Sequence, residues 1–105
     1  MNYKVYKIER FKKEENKLSQ EDRDRIDNII RQLKENPYVG NQLQIRALRE
    51  KRLKEKRMYY LVFDDLEAVL IIGISDKKTQ QATIDEILKL IDDYRDYLKK
   101  LLGKN

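Results

Sequence analysis

Residues 68–74 read Ala-Val-Leu-Ile-Ile-Gly-Ile, an unbroken apolar run with no alternation. A strand of this kind has to be covered on both faces, so it belongs at the centre of a sheet with a layer of chain on each side. The segment Arg57–Phe63 makes a similar demand. Alternation places Tyr59, Leu61 and Phe63 on one face and Met58, Tyr60 and Val62 on the other, and both sets are apolar. Two adjacent two-faced strands in a 105-residue chain predict one domain, 1–105, built as a sheet between helical layers.

The remaining elements follow from local signals. Residues 3–9 mix β-branched and aromatic residues with Lys and predict a first strand. A short polar helix is expected from about Arg10 to Leu18. Ser19 then stands as an N-cap with Asp22 three residues on, and Ile26, Ile29, Ile30 and Leu33 form one apolar stripe behind it. Asn36-Pro37 ends that helix, because the residue before Pro avoids helical geometry, and Gly40-Asn41 marks a loop. Leu43, Ile45 and Ala47 alternate with polar residues, as in a short strand or an extended approach. Lys51–Glu55 and Arg57–Phe63 predict two strands with a tight turn near Glu55-Lys56. Ser75 or Asp76 can cap a last helix whose apolar positions run from Ile84 to Leu102. Taken as one helix of about 24 residues, it would extend about 36 Å. Its far half, from about Asp92, would pack on a partner or on the first helices, and residues 79–105 read as a C-terminal helical extension. The predicted class is α+β, in the order β-α-α-β-β-β-α: an antiparallel meander with two N-terminal helices and a long C-terminal one.

Charge is concentrated in one place. Of the twelve residues Arg46–Arg57, seven are basic and two acidic, a net +5 that equals the whole chain's balance of 24 basic against 19 acidic residues. A neutral body carrying a cationic strip suits a polyanion, since each neutralised phosphate releases a counterion. The competing reading is a solvated charged face without a ligand, as in the ion-rich surfaces of thermophile proteins. There is no Cys and no His, so disulfides, zinc fingers, thiol nucleophiles and imidazole bases are excluded, and neither metal nor cofactor is expected. No apolar run approaches the ~20 residues of a membrane span, and the first residues lack a signal-peptide core. A cytoplasmic protein that does not enter membranes is the expectation.

The order and spacing of Asn36-Pro37, Gly40, Leu43, Leu48, Arg52-Leu53-Lys54 and Arg57-Met58-Tyr59-Tyr60-Leu61-Val62 resemble the RelE/ParE toxin superfamily, over about residues 3–78. The segment Arg49–Ile87, with Ser75-Asp76-Lys77-Lys78-Thr79-Gln80-Gln81, is most similar to archaeal members. The resemblance implies the toxin of a type II toxin–antitoxin system, a ribosome-dependent mRNA endoribonuclease held inactive by a cognate antitoxin. Its alternatives are a ParE-like inhibitor of topoisomerase, or a non-catalytic nucleic-acid-binding domain of the same fold. Many ribonuclease members carry a His or Tyr just after the last strand, where this chain has Asp76-Lys77-Lys78.

RNA transesterification needs a base for the 2′-hydroxyl, cations for the phosphorane and an acid for the leaving oxygen. Without His, the base could be Glu55, Glu50 or a crowded Lys, of which Lys54, between Arg52 and Arg57, is the best placed. Arg57 is the candidate for phosphate stabilisation through its planar fork. Lys54, Arg57, Arg52 and Lys78 form the candidate catalytic set. Arg46, Arg49, Lys51, Lys56 and Lys77 form the candidate RNA-binding set. Ribosome, mRNA and antitoxin are the expected partners, with a homodimer through the last helix as a further possibility.

Overall fold

In the computed structural model, which describes residues 2–104, the two-faced strands sit at the heart of a five-stranded sheet. The elements are β1 (Lys4–Lys7), α1 (Glu9–Asn16), α2 (Gln20–Glu35), a 3-10 turn (Pro37–Val39), β2 (Asn41–Leu43), β3 (Ile45–Arg52), β4 (Arg57–Phe63), a second 3-10 turn (Asp64–Leu66), β5 (Ala68–Ser75), α3 (Gln80–Lys89) and α4 (Ile91–Leu101). The sheet order is β1-β5-β4-β3-β2. β2 to β5 form the expected antiparallel meander, but β1 pairs with β5 in parallel, Lys4 opposite Ala68 through Lys7 opposite Ile71. The sheet is therefore mixed, and β5 is central because β1 covers its outer edge.

Each face of β4 and β5 has its own core. Met58, Tyr60, Val62, Val69 and Ile71 pack with Phe11 of α1 and Ile26, Ile29 and Leu33 of α2. Tyr59, Leu61, Phe63, Leu70 and Ile72 pack with Ile84 and Ile87 of α3 and Leu98 of α4. The α2 stripe lies where its spacing placed it, and Ser19 Oγ accepts the Asp22 amide at 3.2 Å as the N-cap.

Three expectations are corrected. The last helix is two: Leu90 leaves helical geometry at φ −107°, ψ 12°, and the chain bends there. The bend lets α4 fold back on the sheet, burying Leu98 completely and linking Arg95 to Asp65 at 2.6 Å. The far half thus packs on β4, β5 and the turn between them, where a partner or the first helices were expected. Asp76 accepts the Thr79 amide at 2.9 Å, which fastens the turn ahead of α3; the helix starts only at Gln80 and has no side-chain cap of its own. Finally, Leu43, Ile45 and Ala47 do not share an inward face. Gln44 is left-handed, φ 57°, and reverses the chain so that Leu43 pairs with Ile45. Ile45 stays exposed, and the inward residues of β3 are Leu48 and Glu50.

Gly40 is required by close approach. A Cβ there would stand 2.6 Å from the Tyr60 hydroxyl and 2.7 Å from the Glu50 carbonyl oxygen. The buried Tyr60 hydroxyl accepts the Gly40 amide at 3.0 Å and donates to the Pro37 carbonyl at 2.8 Å. Gly40→Ala is expected to lower stability by about 1–3 kcal/mol through overpacking, measured as a shift of the urea midpoint at constant slope.

Candidate nucleic-acid interface

The basic strip divides into two groups along β3. Arg46 and Arg52 are six residues apart, about 20 Å along a strand. At the first end, the guanidinium groups of Arg46 and Arg49 stack on the Tyr38 ring, 4.3 and 4.8 Å from its centre. Arg49 donates to the Gly40 carbonyl at 3.1 Å and the Arg46 carbonyl at 2.9 Å, so its charge is held against backbone oxygens. Arg46 reaches Asp64 at 3.5 Å and remains 70% exposed. Asp64 also accepts the hydroxyls of Tyr38 at 2.7 Å and Tyr3 at 2.9 Å. The Tyr38 bond, reinforced by Tyr3 and Arg46, holds the Asp64 carboxyl below the usual carboxylate range. Burial, then Asp64, pushes the Tyr38 phenol up to about 12.

The second end is the β3–β4 hairpin, whose turn closes with the Leu53 amide donating to the Lys56 carbonyl at 2.9 Å. Leu53 is buried and anchors the turn to the α1–α2 layer. Arg52, Lys54, Glu55 and Lys56 are exposed around it, while Lys51, opposite Met58, is half-buried. The Lys54 amide points toward Asp22 at the start of α2, 3.5 Å away. Lys77 and Lys78 are exposed in the turn after β5, at the same end of the sheet because Ser75 pairs with Arg57.

Arg57 is more enclosed than its position at a strand end suggests. Its Nε lies 2.7 Å from Glu50 Oε1, with the two side chains 13% and 8% exposed. The registers Arg52 opposite Arg57 and Glu50 opposite Tyr59 put all four on the face that α3 covers. Gln80, the first residue of α3, points its amide nitrogen at the same Glu50 oxygen, 3.4 Å away. Beside this pair, the Tyr59 hydroxyl and Ser75 Oγ are 2.7 Å apart, and Ser75 donates to the Asp76 carbonyl at 3.0 Å. Arg52 directly opposite Arg57 is a like-charge cross-strand pair, an arrangement that costs stability and that Glu50 relieves.

Between the hairpin and the helices lies a cleft of about 380 Å³ lined by Glu14, Lys17, Leu18, Lys56, Ile74, Ser75, Asp76 and Thr79. The Thr79 amide and hydroxyl, with Lys56 nearby, hold the Asp76 carboxyl below its ordinary range. Glu14, Lys17, Gln80 and Tyr38 are neighbours of the site that sequence reasoning missed. Glu14 and Lys17 looked like solvated positions of a polar helix, and only the β5 end brings them to the cleft. Among the described residues no group of three or more His, Cys, Asp or Glu side chains could hold a metal, and no helix is long and apolar enough to cross a membrane.

No family model and no curated protein sequence matches this chain. Solved structures do. A double mutant of the E. coli toxin RelE in the free state superposes with a TM-score of 0.72 at 19% identity, over 86% of this chain and 99% of that one. This chain has the RelE fold. The archaeal RelE–RelB complex from Pyrococcus horikoshii OT3 matches at 0.66 and 19% identity, over 73% of this chain and 97% of its own. The intact E. coli RelBE toxin–antitoxin complex matches at 0.63 and 22% identity, over 70% and 95%. In this RelE-like frame the exposed hairpin end of the strip, Arg52, Lys54 and Lys56, lies at the same end of the sheet as Lys77 and Lys78.

Proposed function

We propose that the protein is the toxin of a type II toxin–antitoxin pair and cuts mRNA on the ribosome. The observation that carries this reading is that Arg52, Lys54, Lys56, Lys77 and Lys78 are all exposed at one end of a RelE-like sheet, where Lys56 also lines a cleft. Five exposed cations there give a polyphosphate a dense counter-charge, and the cleft gives one nucleotide a place to enter. Lys54 and Lys78 would stabilise charge on the phosphorane. Arg57, committed to Glu50, would support them from the rim of the sheet, with Arg52 opposite it across the hairpin. Lys51, Arg46 and Arg49 would extend the contact along β3. The partner that silences the toxin would be a cognate antitoxin, as in the RelBE complexes whose toxin has this fold.

A second reading has a specific observation in its favour. Arg57 is neutralised by Glu50, and a cation spent this way suits a binding protein that does no chemistry, such as a ParE-like inhibitor. A homodimer through α4 has less surface to use, since its exposed large apolar residues are Tyr97 and Leu101.

Expression in growing cells followed by mapping of mRNA 5′ ends decides between the readings. Cleavage within translated codons is expected; growth arrest with intact mRNA and altered DNA topology would overturn the ribonuclease reading. The triple variant Arg52→Ala, Lys54→Ala, Lys56→Ala removes exposed side chains only. It is expected to fold normally and to bind single-stranded RNA with a salt slope lowered by about 0.7 per lost phosphate contact, or about 2 in all.

A further inference from the structure

None of the base candidates that the sequence singled out is placed in the cleft: Lys54, the best placed by sequence, is exposed on the hairpin and does not line it. Glu50 is buried and ion-paired to Arg57. Glu55 is exposed at the hairpin turn and does not line the cleft. Asp76 holds the Thr79 amide and hydroxyl on one oxygen, and a carboxyl stabilised in its ionised form is a weak base.

Glu14 stands differently. β1 ends at Lys7 opposite Ile71, so the edge of β5 beyond that point has no strand beside it. The chain turns into α1 there, and Glu14 Oε1 accepts the Ile74 amide at 3.3 Å. This contact lies just past a bulge in β5: Tyr59 pairs with Gly73 and Tyr60 with Ile71, leaving Ile72 as the extra residue. Bulges of this kind re-aim side chains beside functional sites. The Glu14 carboxylate is half-buried in the cleft wall with Lys17 and Lys56 in the same lining, yet it forms no ion pair among the described residues. One carboxylate oxygen is thus anchored to the sheet, and the other has no hydrogen-bond partner among the described residues.

We propose that Glu14 is the general base of the RNA cleavage and that the cleft it lines seats the ribose whose 2′-hydroxyl attacks. This rests on the reading of the protein as an mRNA-cutting toxin. Glu14 takes the 2′-hydroxyl proton as the 2′-oxygen bonds to phosphorus. The bond from phosphorus to the 5′-oxygen breaks, and the Lys56 ammonium gives that oxygen its proton. The products are a 2′,3′-cyclic phosphate and a 5′-hydroxyl end. Neutral Lys56 then regains its proton, and Glu14 loses its own, through water. Anchorage of Oε1 by Ile74 fixes the carboxylate for this transfer.

The test compares wild type, Glu14→Gln and Glu14→Ala on programmed ribosomes. Glutamine keeps an oxygen for the Ile74 amide but cannot take a proton. Glu14→Gln is expected to cut about 10²- to 10⁴-fold more slowly, to co-sediment with ribosomes as wild type does, and to lose the fall in rate that wild type shows on the acid side. If Glu14→Gln cuts as fast as wild type while Glu14→Ala is slow, the residue only braces the sheet and the proposal is overturned. If both variants cut like wild type, it is overturned as well. If wild-type protein cuts no mRNA on ribosomes, the ribonuclease reading itself fails and the proposal falls with it.

Discussion

Glu50→Ala is expected to lower the stability of the fold by about 3–5 kcal/mol, the loss typical of breaking a buried ion pair from one side. The pair qualifies: the contact is 2.7 Å, and Glu50 and Arg57 are 8% and 13% exposed. Alanine at 50 strands the Arg57 cation beneath α3 and beside the cation of Arg52, its cross-strand neighbour. It also removes the group that Gln80 approaches, so the start of α3 loses a tie to the sheet. Arg57→Ala should be of similar size for the mirror reason. The double variant Glu50→Leu, Arg57→Met removes both charges while filling the space, and should come out near wild type or above it. Urea denaturation of all four proteins measures this. A loss below about 1 kcal/mol in Glu50→Ala would mean that water reaches the pair, in contradiction to its burial. The result also governs how activity is read. An inactive Arg57→Ala says nothing about phosphate binding unless a double variant of wild-type stability is inactive too.

Phe11→Ala is the other large effect, expected at about 3–5 kcal/mol. Phe11 is fully buried, and the only other buried residue of α1 is Glu15. One aromatic ring therefore supplies nearly all the apolar attachment of this helix. The polar ties that remain are Lys7 to Glu15 at 2.9 Å, Glu14 to the Ile74 amide at 3.3 Å and the solvent-exposed pair of Arg10 with Glu86 of α3 at 2.8 Å. Hydrogen exchange should show residues 9–16 losing protection first, while β4 and β5 keep theirs. Because Glu14 and Lys17 ride on this helix and its end, the cleft should lose its shape at the same time. Uniform loss of protection across the chain would show instead that α1 unfolds only with the whole domain.

The two strongest expectations from the residues concerned β4 and β5, and both hold. Tyr59 and Tyr60 are completely buried on opposite faces, as a strand apolar on both sides requires. The α2 stripe and its Ser19 cap hold for the same reason: each rests on spacing within a few residues, which the local chain geometry enforces. The failures have a common origin too. Leu90 sits inside an apolar pattern that continues from α3 into α4, and nothing nearby announces a bend. The bend is set by Leu98 finding the core under β4 and β5 and by Arg95 meeting Asp65, thirty residues away. Gln44 offered no glycine to mark a left-handed corner, so the β2–β3 turn stayed hidden behind a plausible alternation.

The candidate site divides along the same line. By itself the sequence determined that the chain's excess charge lies between Arg46 and Arg57, and that this segment runs into a strand buried on both faces. Composition and period are local properties, and both can be read without knowing what packs where. Tertiary structure alone decided which of those charges remain available. Arg57 is taken up by Glu50 under α3 and Arg49 by backbone oxygens beside Tyr38, while Arg46, Arg52, Lys54 and Lys56 are left exposed, the last three at the sheet end that Lys77 and Lys78 share. It also brought Glu14 to the cleft, because β1 stops at Lys7 and leaves the Ile74 amide for a helix carboxylate to meet. Whether a charge is spent or free depends on partners distant in the chain, and those are chosen by the packing of the whole domain.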